Sequence, residues 1–441
     1  MLGAIKQNAV RFSMLFIAII LVWVSANLKW GDERWNNIIG VDGNGYYAYL
    51  PAIFIYHDLS FGFFDDLKKD QSRRDLSYNY RVKTDDGIID KYFAGTALAQ
   101  LPFFFMGHFA NWITGNSLDG YSVYYLIFIQ VATIFYALIG MYFLMRILRI
   151  YQVSERLNAL VIITTMLGTS VFHYVVDEPS MSHIYSFAFV NLFVFSFLSF
   201  FKKPGFRFLL YGMLAFGMVL LIRPVNGLLI LSLPFLAGSF LNLKKGLHYL
   251  VKFPWQTLLA ILPVFLLISI QLIIYKIQTG HFLVYSYGKE SLDFTNPQMW
   301  KFLFSYRKGF FVYTPVFFLS LFGSLYFFRK SRFQFISWFV FLAVVVFVLS
   351  SWWQWFYGGS FGSRVMIEYY IFFVIPLGLL LQKNRYRKAI AVLVILLIFV
   401  CQFQAYQYRY GYLHWSEMNK ERYWDNFLRI DKVLNDDEKE W

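Results

Sequence analysis

The sequence predicts an all-α polytopic membrane protein built as one membrane domain. Of its 441 residues, 58% are hydrophobic and only 15% are charged, a balance far from that of soluble globular proteins. Long apolar runs recur along the chain, which is the pattern of membrane-spanning helices. The short alternating segments of a membrane β-barrel do not recur in the sequence. Helices are therefore the predicted spanning elements, because they satisfy their own backbone hydrogen bonds in lipid.

The first apolar run extends from Phe12 to Ala26 and follows the basic residues Lys6 and Arg11. It is longer than the apolar segment of most cleaved signal peptides, so it predicts a retained signal anchor. Further apolar runs cover residues 119–145, 157–175, 183–201, 207–222, 225–241, 256–275, 311–328, 333–350, 365–382 and 389–405. Together with the anchor they predict about 11 transmembrane helices.

The basic residues predict the orientation of these helices. The net charge is +14, and basic residues cluster in short connections, "RILRIYQVSER", "FKKPGFR", "NLKKG", "FRKSR" and "QKNRYRK". The positive-inside rule places these connections in the cytoplasm. The outward-facing connections are then "DEPSMSH", "RPVNG", "SWWQWFYGGSFGSR" and the long stretch from about residue 276 to 310. Nucleic-acid binding is excluded as the reason for the charge, because the sequence lacks basic stripes and readout motifs.

A large first outer loop, about residues 29–118, follows from this orientation. Its moderately apolar segment "FAGTALAQLPFFFMGHFANW" predicts a juxtamembrane helix broken at Pro102, since a full crossing would invert every later loop. In the tail, Tyr423, Phe427, Ile430 and Leu434 recur at helical spacing. The sequence therefore predicts a membrane domain over residues 1–405 and an extracytoplasmic amphipathic tail over residues 406–441.

The predicted topology gathers ionisable residues at the outer membrane surface. Asp42 stands in "VDGNGYYAYLPA", Lys91 in "DKYFAGTALAQLPF", Arg223 before "PVNG", and Arg364 at the end of "GGSFGSR". Ionisable groups at such depth tend to mark substrate or ion paths. A carboxylate beside several cations suits sugar transfer from a lipid-phosphate donor. Asp42 is then the candidate base for an acceptor hydroxyl, and the three cations are candidates for binding the departing phosphate.

Residues near these charges are the predicted substrate contacts. In "DGNGYYAY", Gly43 and Gly45 are expected to leave room beside the carboxylate, while the tyrosines form a wall against a sugar ring. The predicted substrate-binding residues are Tyr46, Tyr47, Asp177, Glu178, His183, Trp355 and Tyr287. No P-loop, zincin or nucleophile-elbow motif in the sequence competes with this interpretation.

Several of these residues also have a purely structural interpretation. Asp-Gly is a common turn dipeptide, which accounts for Asp42 without chemistry. Lys91 fits a lysine that extends its ammonium group to the membrane interface, and Arg223 before a proline fits a helix end. The tryptophans at 352, 353 and 355 fit an aromatic belt at the membrane surface.

The segment "HYVVDEPSMSH" raises the question of a metal. His173 and Asp177 are four residues apart on one helix face, and Glu178 and His183 follow closely. Such a set suits a divalent metal. The alternative is a polar helix end followed by a proline turn. Because the arginines already supply positive charge for a phosphate, the prediction is no metal and no other cofactor.

A resemblance to a known family runs through the chain. An acid near "GYYAYLPA" after the first span, then "KYFAGTALAQLPFF", an "RP" after a Gly-containing span, "SYRKGFFVYTP" and "WWQWFYGGSFGSR" together resemble the GT-C superfamily of integral-membrane glycosyltransferases. The similar members are bacterial protein mannosyltransferases and aminoarabinose transferases. The resemblance implies a GT-C-like fold and an inverting transferase that uses a polyprenyl-phosphate sugar. It also implies that Asp42 is the catalytic carboxylate and that Lys91 contacts donor phosphate.

The same resemblance implies the location and partners of the protein. The site would face the periplasm from a bacterial cytoplasmic membrane, with a polyprenyl-phosphate sugar as donor and a glycan, lipid or protein as acceptor. A lipid or glycan transporter or flippase is the main alternative. Such a protein more often carries charges near span centres and inverted repeats, which the sequence does not show. A noncatalytic scaffold in envelope assembly is a third interpretation.

Cysteine labelling tests the predicted orientation. In a Cys401→Ser background, single cysteines near residues 245 and 385 should be protected from membrane-impermeant reagents outside the cell, because they lie in basic connections. Cysteines near residues 290 and 358 should react. Outside labelling near residue 245 would contradict the orientation and separate the predicted site residues.

Overall fold

The chain folds into a helical bundle that carries a short β-hairpin. The computed structural model describes residues 2–32, 34–69 and 78–435. The α-helices are α1 (Leu2–Ser25), α2 (Asp42–Phe54), α3 (Phe63–Lys69), α4 (Gly95–Thr114), α5 (Val123–Ile150), α6 (Glu155–Leu167), α7 (Val171–Val176), α8 (Ser182–Lys202), α9 (Phe206–Ile222), α10 (Leu233–Ala237), α11 (Phe240–Lys252), α12 (Pro254–Thr279), α13 (Met299–Phe304), α14 (Phe310–Tyr313), α15 (Phe318–Lys330), α16 (Arg332–Ser350), α17 (Ile371–Lys383), α18 (Arg387–Arg409), α19 (Lys420–Asn426) and α20 (Ile430–Asn435).

Short elements connect these helices. A π-helical turn, Ala26–Trp30, extends α1, and 3₁₀ segments cover Arg34–Ile38, Pro224–Ser232, Pro315–Phe317 and Arg364–Tyr369. The hairpin pairs β1 (Arg81–Lys83) with β2 (Ile88–Asp90) in antiparallel register. Polar side chains begin several helices, as where Ser331 accepts a hydrogen bond from the N–H of Gln334 at the start of α16. Glycines with positive φ end others, as at Gly280 after α12.

Six helices in the described part of the chain are long and apolar enough to cross a membrane: Asn8–Trp30, Val123–Ile150, Ser182–Lys202, Pro254–Thr279, Arg332–Ser350 and Arg387–Arg409. The bent pair Pro224–Ala237 and Phe240–Lys252 makes a seventh if it counts as one span. These helices indicate an integral membrane protein. The predicted number of about 11 spans is not confirmed, because several predicted runs form helices shorter than a bilayer crossing requires.

Contacts between helix ends bring the predicted outer connections together. Gln130 in α5 donates hydrogen bonds to Ser25 at the end of α1 (2.8 Å) and to the carbonyl of Val176 at the end of α7 (3.2 Å). His183 at the start of α8 lies 3.1 Å from a guanidinium nitrogen of Arg223, which follows α9. We call this face, formed by the ends of α1, α7 and α9 and the starts of α5 and α8, the polar end.

The basic connections lie at the opposite end of the same helices. Arg149 in the last turn of α5 pairs with Glu155 at the start of α6, at 2.7 Å. The N–H of Ser154 donates to the side chain of Gln382 in the last turn of α17. Helix α5 has 28 residues, so at 1.5 Å per residue these contacts lie about 40 Å from the start of the helix. The fold thus separates the basic connections from the polar end, as the topology requires, while the side each end faces stays a prediction.

Pro102 lies inside the continuous helix α4, so the predicted break at this residue is wrong. A proline removes one backbone hydrogen bond, and packing against α5 holds the helix across that gap. At Gly107, an added Cβ would lie 2.8 Å from the backbone of Tyr125, which shows how closely the two helices approach. Residues 33 and 70–77 of the predicted outer loop lie outside the described residues.

The tail forms two short helices, so the predicted single amphipathic helix is wrong. The chain turns between α19 and α20, where Leu428 has a φ of +54°. Tyr423 packs against the rings of Tyr306 and Tyr313, with centroids 5.1 and 6.1 Å away. Ile430 is instead 56% exposed. Residues 436–441 of the predicted tail lie outside the described residues.

Asp90 ends β2 and is fully buried against α2. Its Oδ1 accepts a hydrogen bond from the N–H of Tyr92 at 2.8 Å, but its Oδ2 has no hydrogen-bond partner among the described residues. Burial raises the pKa of Asp90 well above its usual value. The folded state therefore binds the proton of this carboxyl more tightly than the unfolded chain does. The resulting stabilisation is fully present below about pH 3.9, the pKa in the unfolded chain, and is lost as the pH rises through the higher pKa of the folded state.

Replacing Asp90 by Asn should raise the Tm of the detergent-solubilised protein at pH 8 and change it less near pH 5. The amide keeps the shape of the neutral carboxyl and removes the cost of holding a proton at high pH. Asp85→Asn, in the exposed hairpin turn, is the matched control and should leave Tm unchanged. A lower Tm for Asp90→Asn at pH 8 would show that the fold needs the ionised carboxylate.

Candidate active site

Asp42 is the first residue of α2 and lies at the polar end. Val41, directly before it, has a φ of +46°, which costs a β-branched residue on the order of 1–3 kcal/mol. The turn is closed by hydrogen bonds from the N–H of Gly43 to the carbonyl of Gly40 and from the N–H of Asn44 to that of Val41. The helix N-terminus also favours a negative charge at this position. The local backbone thus holds a carboxylate in place at some cost in strain.

Arg364 meets this carboxylate from a distant part of the chain. It begins the 3₁₀ segment Arg364–Tyr369 after a loop in which Gly358 and Gly362 have positive φ. Its Nη2 lies 2.7 Å from Oδ2 of Asp42, and the two side chains are only 12% and 13% exposed. Nη1 faces the sulfur of Met181 at 3.9 Å, and Nε has no hydrogen-bond partner among the described residues. The guanidinium therefore keeps donors for a further acceptor.

The environment of Asp42 keeps its carboxylate ionised. Burial by itself would raise the pKa of Asp42, but the guanidinium of Arg364, the hydroxyl of Tyr92 and the ammonium of Lys91 together hold it below the usual value. Asp42 is therefore in its ionised form at neutral pH.

Lys91 lies beside this pair and has its own acidic partner. Its Nζ is 2.7 Å from Oε1 of Glu290, and the side chains are 16% and 29% exposed. The ammonium also lies 5.5 Å from the centre of the Tyr287 ring and 5.9 Å from that of Tyr92. Burial by itself would lower the pKa of Lys91, but Glu290 raises it above the usual value. Lys91 is a charged group at this face of the site, not a surface lysine.

Arg223 belongs to a second buried cluster. Its Nε is 3.6 Å from Oε1 of Glu368, and the same carboxylate oxygen lies 3.1 Å from Nδ1 of His183. Glu368 and His183 are 0% and 1% exposed at their side chains, whereas Arg223 is 15% exposed. Asn226 contacts the same oxygen at 3.4 Å. Arg223 therefore has the accessible position in a cluster whose acid is fully buried.

Asp177 and Glu178 form a third cluster around His173. Arg409 binds Asp177 with two hydrogen bonds, of 2.6 and 2.8 Å. The ring nitrogens of His173 face the carboxylates of Asp177 at 3.0 Å and Glu178 at 3.2 Å. The second oxygen of Glu178 is buried without a hydrogen-bond partner among the described residues. Asp177 thus joins the end of α7 to the end of α18, which leaves Glu178 as the less committed acid.

Two of the predicted aromatic contacts, Tyr46 and Tyr287, lie close to the charged groups. Tyr46 lies one helical turn after Asp42, and its ring centroid is 4.4 Å from that of Tyr92. Tyr287 lies beneath Lys91 and packs edge-on against Trp352 at 5.4 Å. These rings lie close to the charged groups.

Tyr47 is not brought to the site. Its ring packs between Phe104 and Tyr121, and its hydroxyl donates to the carbonyl of Gly120. The side chain is 0% exposed. One residue beyond Tyr46 on a helix points about 100° away, so Tyr47 faces the bundle core instead of the carboxylate.

Gly43 and Gly45 do not leave open space, so that part of the prediction is wrong. A Cβ on Gly43 would lie 1.9 Å from Oγ of Ser180, and one on Gly45 would lie 2.5 Å from the ring of Tyr92. These glycines instead allow α2 to pack closely against its neighbours, which brings Tyr92 near Asp42.

Lys308 is a buried cation that the sequence analysis did not single out. Lys308 is only 2% exposed, and its Nζ donates to the carbonyl of Ser360 in the loop before Arg364. The ammonium lies 4.9 Å from the centre of the Tyr408 ring. Burial lowers the pKa of Lys308 to about 7, opposed by the charge of Glu178. Lys308 therefore anchors the loop that presents Arg364.

Trp355 lines a groove at the surface. It is half-buried and packs against Phe356, with ring centroids 5.6 Å apart. The groove also contains Tyr306 and Arg307. Trp355 is connected to the site because it lies in the same loop that leads to Arg364.

The acidic partners are the main residues that sequence reasoning missed. Glu368 is an acid inside the apolar run 365–382, and an ionisable residue within such a run was the available signal. Glu290 lies in a polar connection with no pattern that distinguishes it. Arg409 stands at the end of an apolar run, where a basic residue is ordinary.

No group of three or more His, Cys, Asp or Glu side chains in residues 2–32, 34–69 and 78–435 is placed to hold a metal ion. In the segment 173–183, which the sequence suggested as a metal site, the ring nitrogens of His173 already face the carboxylates of Asp177 and Glu178. Whether the reaction uses a metal stays a prediction.

Comparisons with known proteins give a distant structural likeness. No family model matches the chain, and no curated protein matches it. One similar solved structure is the apo form of the oligosaccharyltransferase of Archaeoglobus fulgidus, with 12% sequence identity and a TM-score of 0.46. The match covers 96% of this chain and 60% of that chain, so this protein spans less than two thirds of the length of the archaeal enzyme. A likeness at this level leaves the function to be argued from the site.

Removing the carboxylate of Glu368 should be strongly destabilising. Glu368→Ala leaves Arg223 and His183 without their buried acid, and breaking a buried pair typically costs about 3–5 kcal/mol. Glu155→Ala is the matched control, because its partner Arg149 is 42% exposed and such pairs contribute about 0–1 kcal/mol. Both free energies of unfolding are measurable by denaturant titration in mixed micelles. Equal losses in the two variants would contradict the importance of the buried cluster.

Proposed function

We propose that this protein is a membrane glycosyltransferase that moves a sugar from a polyprenyl-phosphate donor to a hydroxyl acceptor, with inversion at the anomeric carbon. The observation that carries the proposal is the contact of 2.7 Å between Asp42 and Arg364. It sets a base beside a phosphate ligand at one end of a membrane bundle. In this proposal the polar end faces the periplasm from a bacterial cytoplasmic membrane.

The donor phosphate binds to cations that retain free hydrogen-bonding capacity. Arg364 uses Nη2 for Asp42, whereas its Nε has no hydrogen-bond partner among the described residues. Lys91 donates one hydrogen bond, to Glu290, and an ammonium group has three donors. Arg223 is partly exposed in its cluster. Hydrogen bonds from charged donors to phosphate are stronger than neutral ones, and they lie here where water is largely excluded.

Asp42 takes the proton of the acceptor. As the acceptor oxygen forms a bond to the anomeric carbon, its hydrogen passes to a carboxylate oxygen of Asp42. The bond between the anomeric carbon and the phosphate oxygen breaks, and the phosphate leaves with the electron pair. Arg364, Lys91 and Arg223 stabilise the negative charge that develops on it.

Donor binding also prepares the base. Arg364 lowers the pKa of Asp42 in the absence of donor. A phosphate that shares this guanidinium weakens its effect on the carboxylate, so the pKa of Asp42 rises and Asp42 becomes a stronger base. Arg364 thus keeps Asp42 ionised before the donor arrives, and the bound phosphate makes Asp42 more basic afterwards.

The other predicted substrate contacts have different roles, which follow from what each side chain touches. Tyr46 and Tyr287 offer ring faces for the sugar beside the cations. Glu178 is 25% exposed in its cluster and is available to contact the acceptor, whereas His183 is 1% exposed and helps to position Arg223 through their shared partner Glu368. Asp177 and Tyr47 are engaged in the structure of the bundle, and Trp355 belongs to the adjacent groove.

Asp42→Asn tests the proposal. The amide keeps the shape of the side chain and removes the base, so transfer from a polyprenyl-phosphate sugar should fall by about 10²–10⁴-fold. Donor binding in the same preparation should persist, because Arg364 remains and loses only its anionic competitor. Turnover is measured by formation of glycosylated acceptor, and binding by titration with the donor lipid.

Arg364→Gln is the matched variant on the other side of the pair. It should weaken donor binding by about 1.5–3 kcal/mol, the range of a hydrogen bond to a charged group. Near wild-type transfer by Asp42→Asn would contradict the assignment of the base. Unchanged donor binding by Arg364→Gln would contradict the assignment of the phosphate ligand.

A further inference from the structure

A surface groove is lined by residues that neighbour, in the chain, those that hold the loop of Arg364. Its volume is about 460 Å³, and it is formed by α13, the residues that follow this helix, Trp355 and the start of α19. Arg307 lines the groove, while the next residue, Lys308, points inward to the carbonyl of Ser360. The groove and the loop that carries Arg364 are therefore held by adjacent residues.

The groove combines exposed aromatic rings with positive charge. Trp300 is 75% exposed and packs against Phe304, with centroids 4.4 Å apart. Trp355 and Tyr306 supply further ring surface. Flat aromatic faces of this kind bind the apolar faces of sugar rings, and their quadrupoles accept polarised C–H groups.

The charges in the groove are of one sign. Lys301, Arg307 and Lys420 line it, and none of its lining residues in the described part of the chain is acidic. The side chains of Lys301 and Lys420 make no hydrogen bond or ion pair with any described residue. Arg307 donates to the carbonyl of Ser416, and its guanidinium stacks on Phe356 at 3.5 Å. Two lysines are thus available for an anionic ligand, and the third cation of the groove is a guanidinium held in place by Ser416 and Phe356.

We propose that this groove binds an anionic glycan acceptor, one whose sugars carry carboxylate or phosphate groups. This inference rests on the proposed glycosyltransferase function and names the acceptor class for it. A neutral glycan would use the rings alone and leave the ammonium groups of Lys301 and Lys420 without a counterpart. The arrangement of two lysines and an arginine around exposed tryptophan matches a ligand that has both ring faces and negative charge.

The groove suits the acceptor better than the donor. The donor phosphate is assigned to Arg364, Lys91 and Arg223, and none of these residues lines the groove. The groove therefore has cations of its own for the second substrate. One of them, Arg307, is followed directly by Lys308, which donates to the carbonyl of Ser360 in the loop before Arg364.

A binding experiment tests the groove without any transfer reaction. The wild-type protein in phosphatidylcholine nanodiscs is titrated calorimetrically with tetragalacturonate, a linear tetrasaccharide of uronic acids, and with neutral maltotetraose. The anionic glycan should bind at least about ten-fold more tightly, and its affinity should fall as salt is added. Lys301→Gln/Lys420→Gln should weaken its binding by about ten-fold or more, because each lost charge removes a charge-assisted hydrogen bond.

Lys244→Gln/Lys245→Gln is the matched control, since it removes two exposed charges from α11, in one of the basic connections opposite the polar end. This variant should bind tetragalacturonate as the wild type does. Trp300→Ala should weaken binding while leaving its salt dependence in place, as expected if the ring supplies stacking and not charge. Retention of wild-type affinity by the Lys301/Lys420 variant would overturn the proposal, as would equal binding of the neutral glycan.

Phosphatidylglycerol nanodiscs distinguish a glycan from a lipid headgroup as the source of negative charge. Glycan binding that persists in them supports the proposal. Loss of glycan binding in the wild type would assign the groove to anionic lipid and overturn it. None of these titrations depends on Asp42 or on a donor, so failure of the groove and failure of the proposed transferase function are distinguishable.

Discussion

The structure depends on the pairing of buried charges at one end of a membrane bundle. Removing an ion from water is costly, and a buried charge persists only when a partner and hydrogen bonds compensate it. Each of the three predicted phosphate ligands has such a partner: Arg364 has Asp42, Lys91 has Glu290, and Arg223 has Glu368. These pairs join parts of the chain that lie far apart in sequence. The same interactions that position the charges therefore also hold the helix ends together.

This constraint explains why the pairs differ in what they can do. In the Glu368 cluster the acid is fully buried and the histidine almost so, while Arg223 keeps 15% exposure. The Arg409–Asp177 contact is bidentate and fixes the end of α18. The Asp42–Arg364 contact is a single hydrogen bond that leaves Nε of the guanidinium without a partner among the described residues. The pairs therefore differ in how much hydrogen-bonding capacity they leave for a ligand, and the Asp42–Arg364 pair has the strained Val41 beside it.

The fold class and the gathering of the cations were predictable from simple features of the sequence. Composition identified helices, and the spacing of basic connections placed Asp42, Arg364 and Arg223 at one end, where the structure has them. The acid partners were not predictable in the same way. Glu290 gains its role only from the path of a long connection, and no sequence pattern specifies that path. Glu368 did leave a signal, as an acid in an apolar run.

The errors within α2 have a different origin. Once Asp42–Phe54 is known to be helical, Tyr46 shares the face of Asp42 and Tyr47 does not. Read as a loop, the same residues suggested an aromatic wall and open space at Gly43 and Gly45. At Pro102 the local rule predicted a break, but packing of α4 on α5 outweighed one missing hydrogen bond. Local preferences therefore failed where tertiary contacts were dense.

The proposed function requires that the Asp42–Arg364 pair receives the donor phosphate. An experimental structure with a non-transferable polyprenyl-phosphonate sugar bound would show this contact. A phosphonate oxygen should lie within hydrogen-bond distance of the Arg364 guanidinium, with the anomeric carbon on the side of Asp42. A phosphonate bound among the basic connections, or at the polar end without contact to Arg364, would contradict this role of the pair.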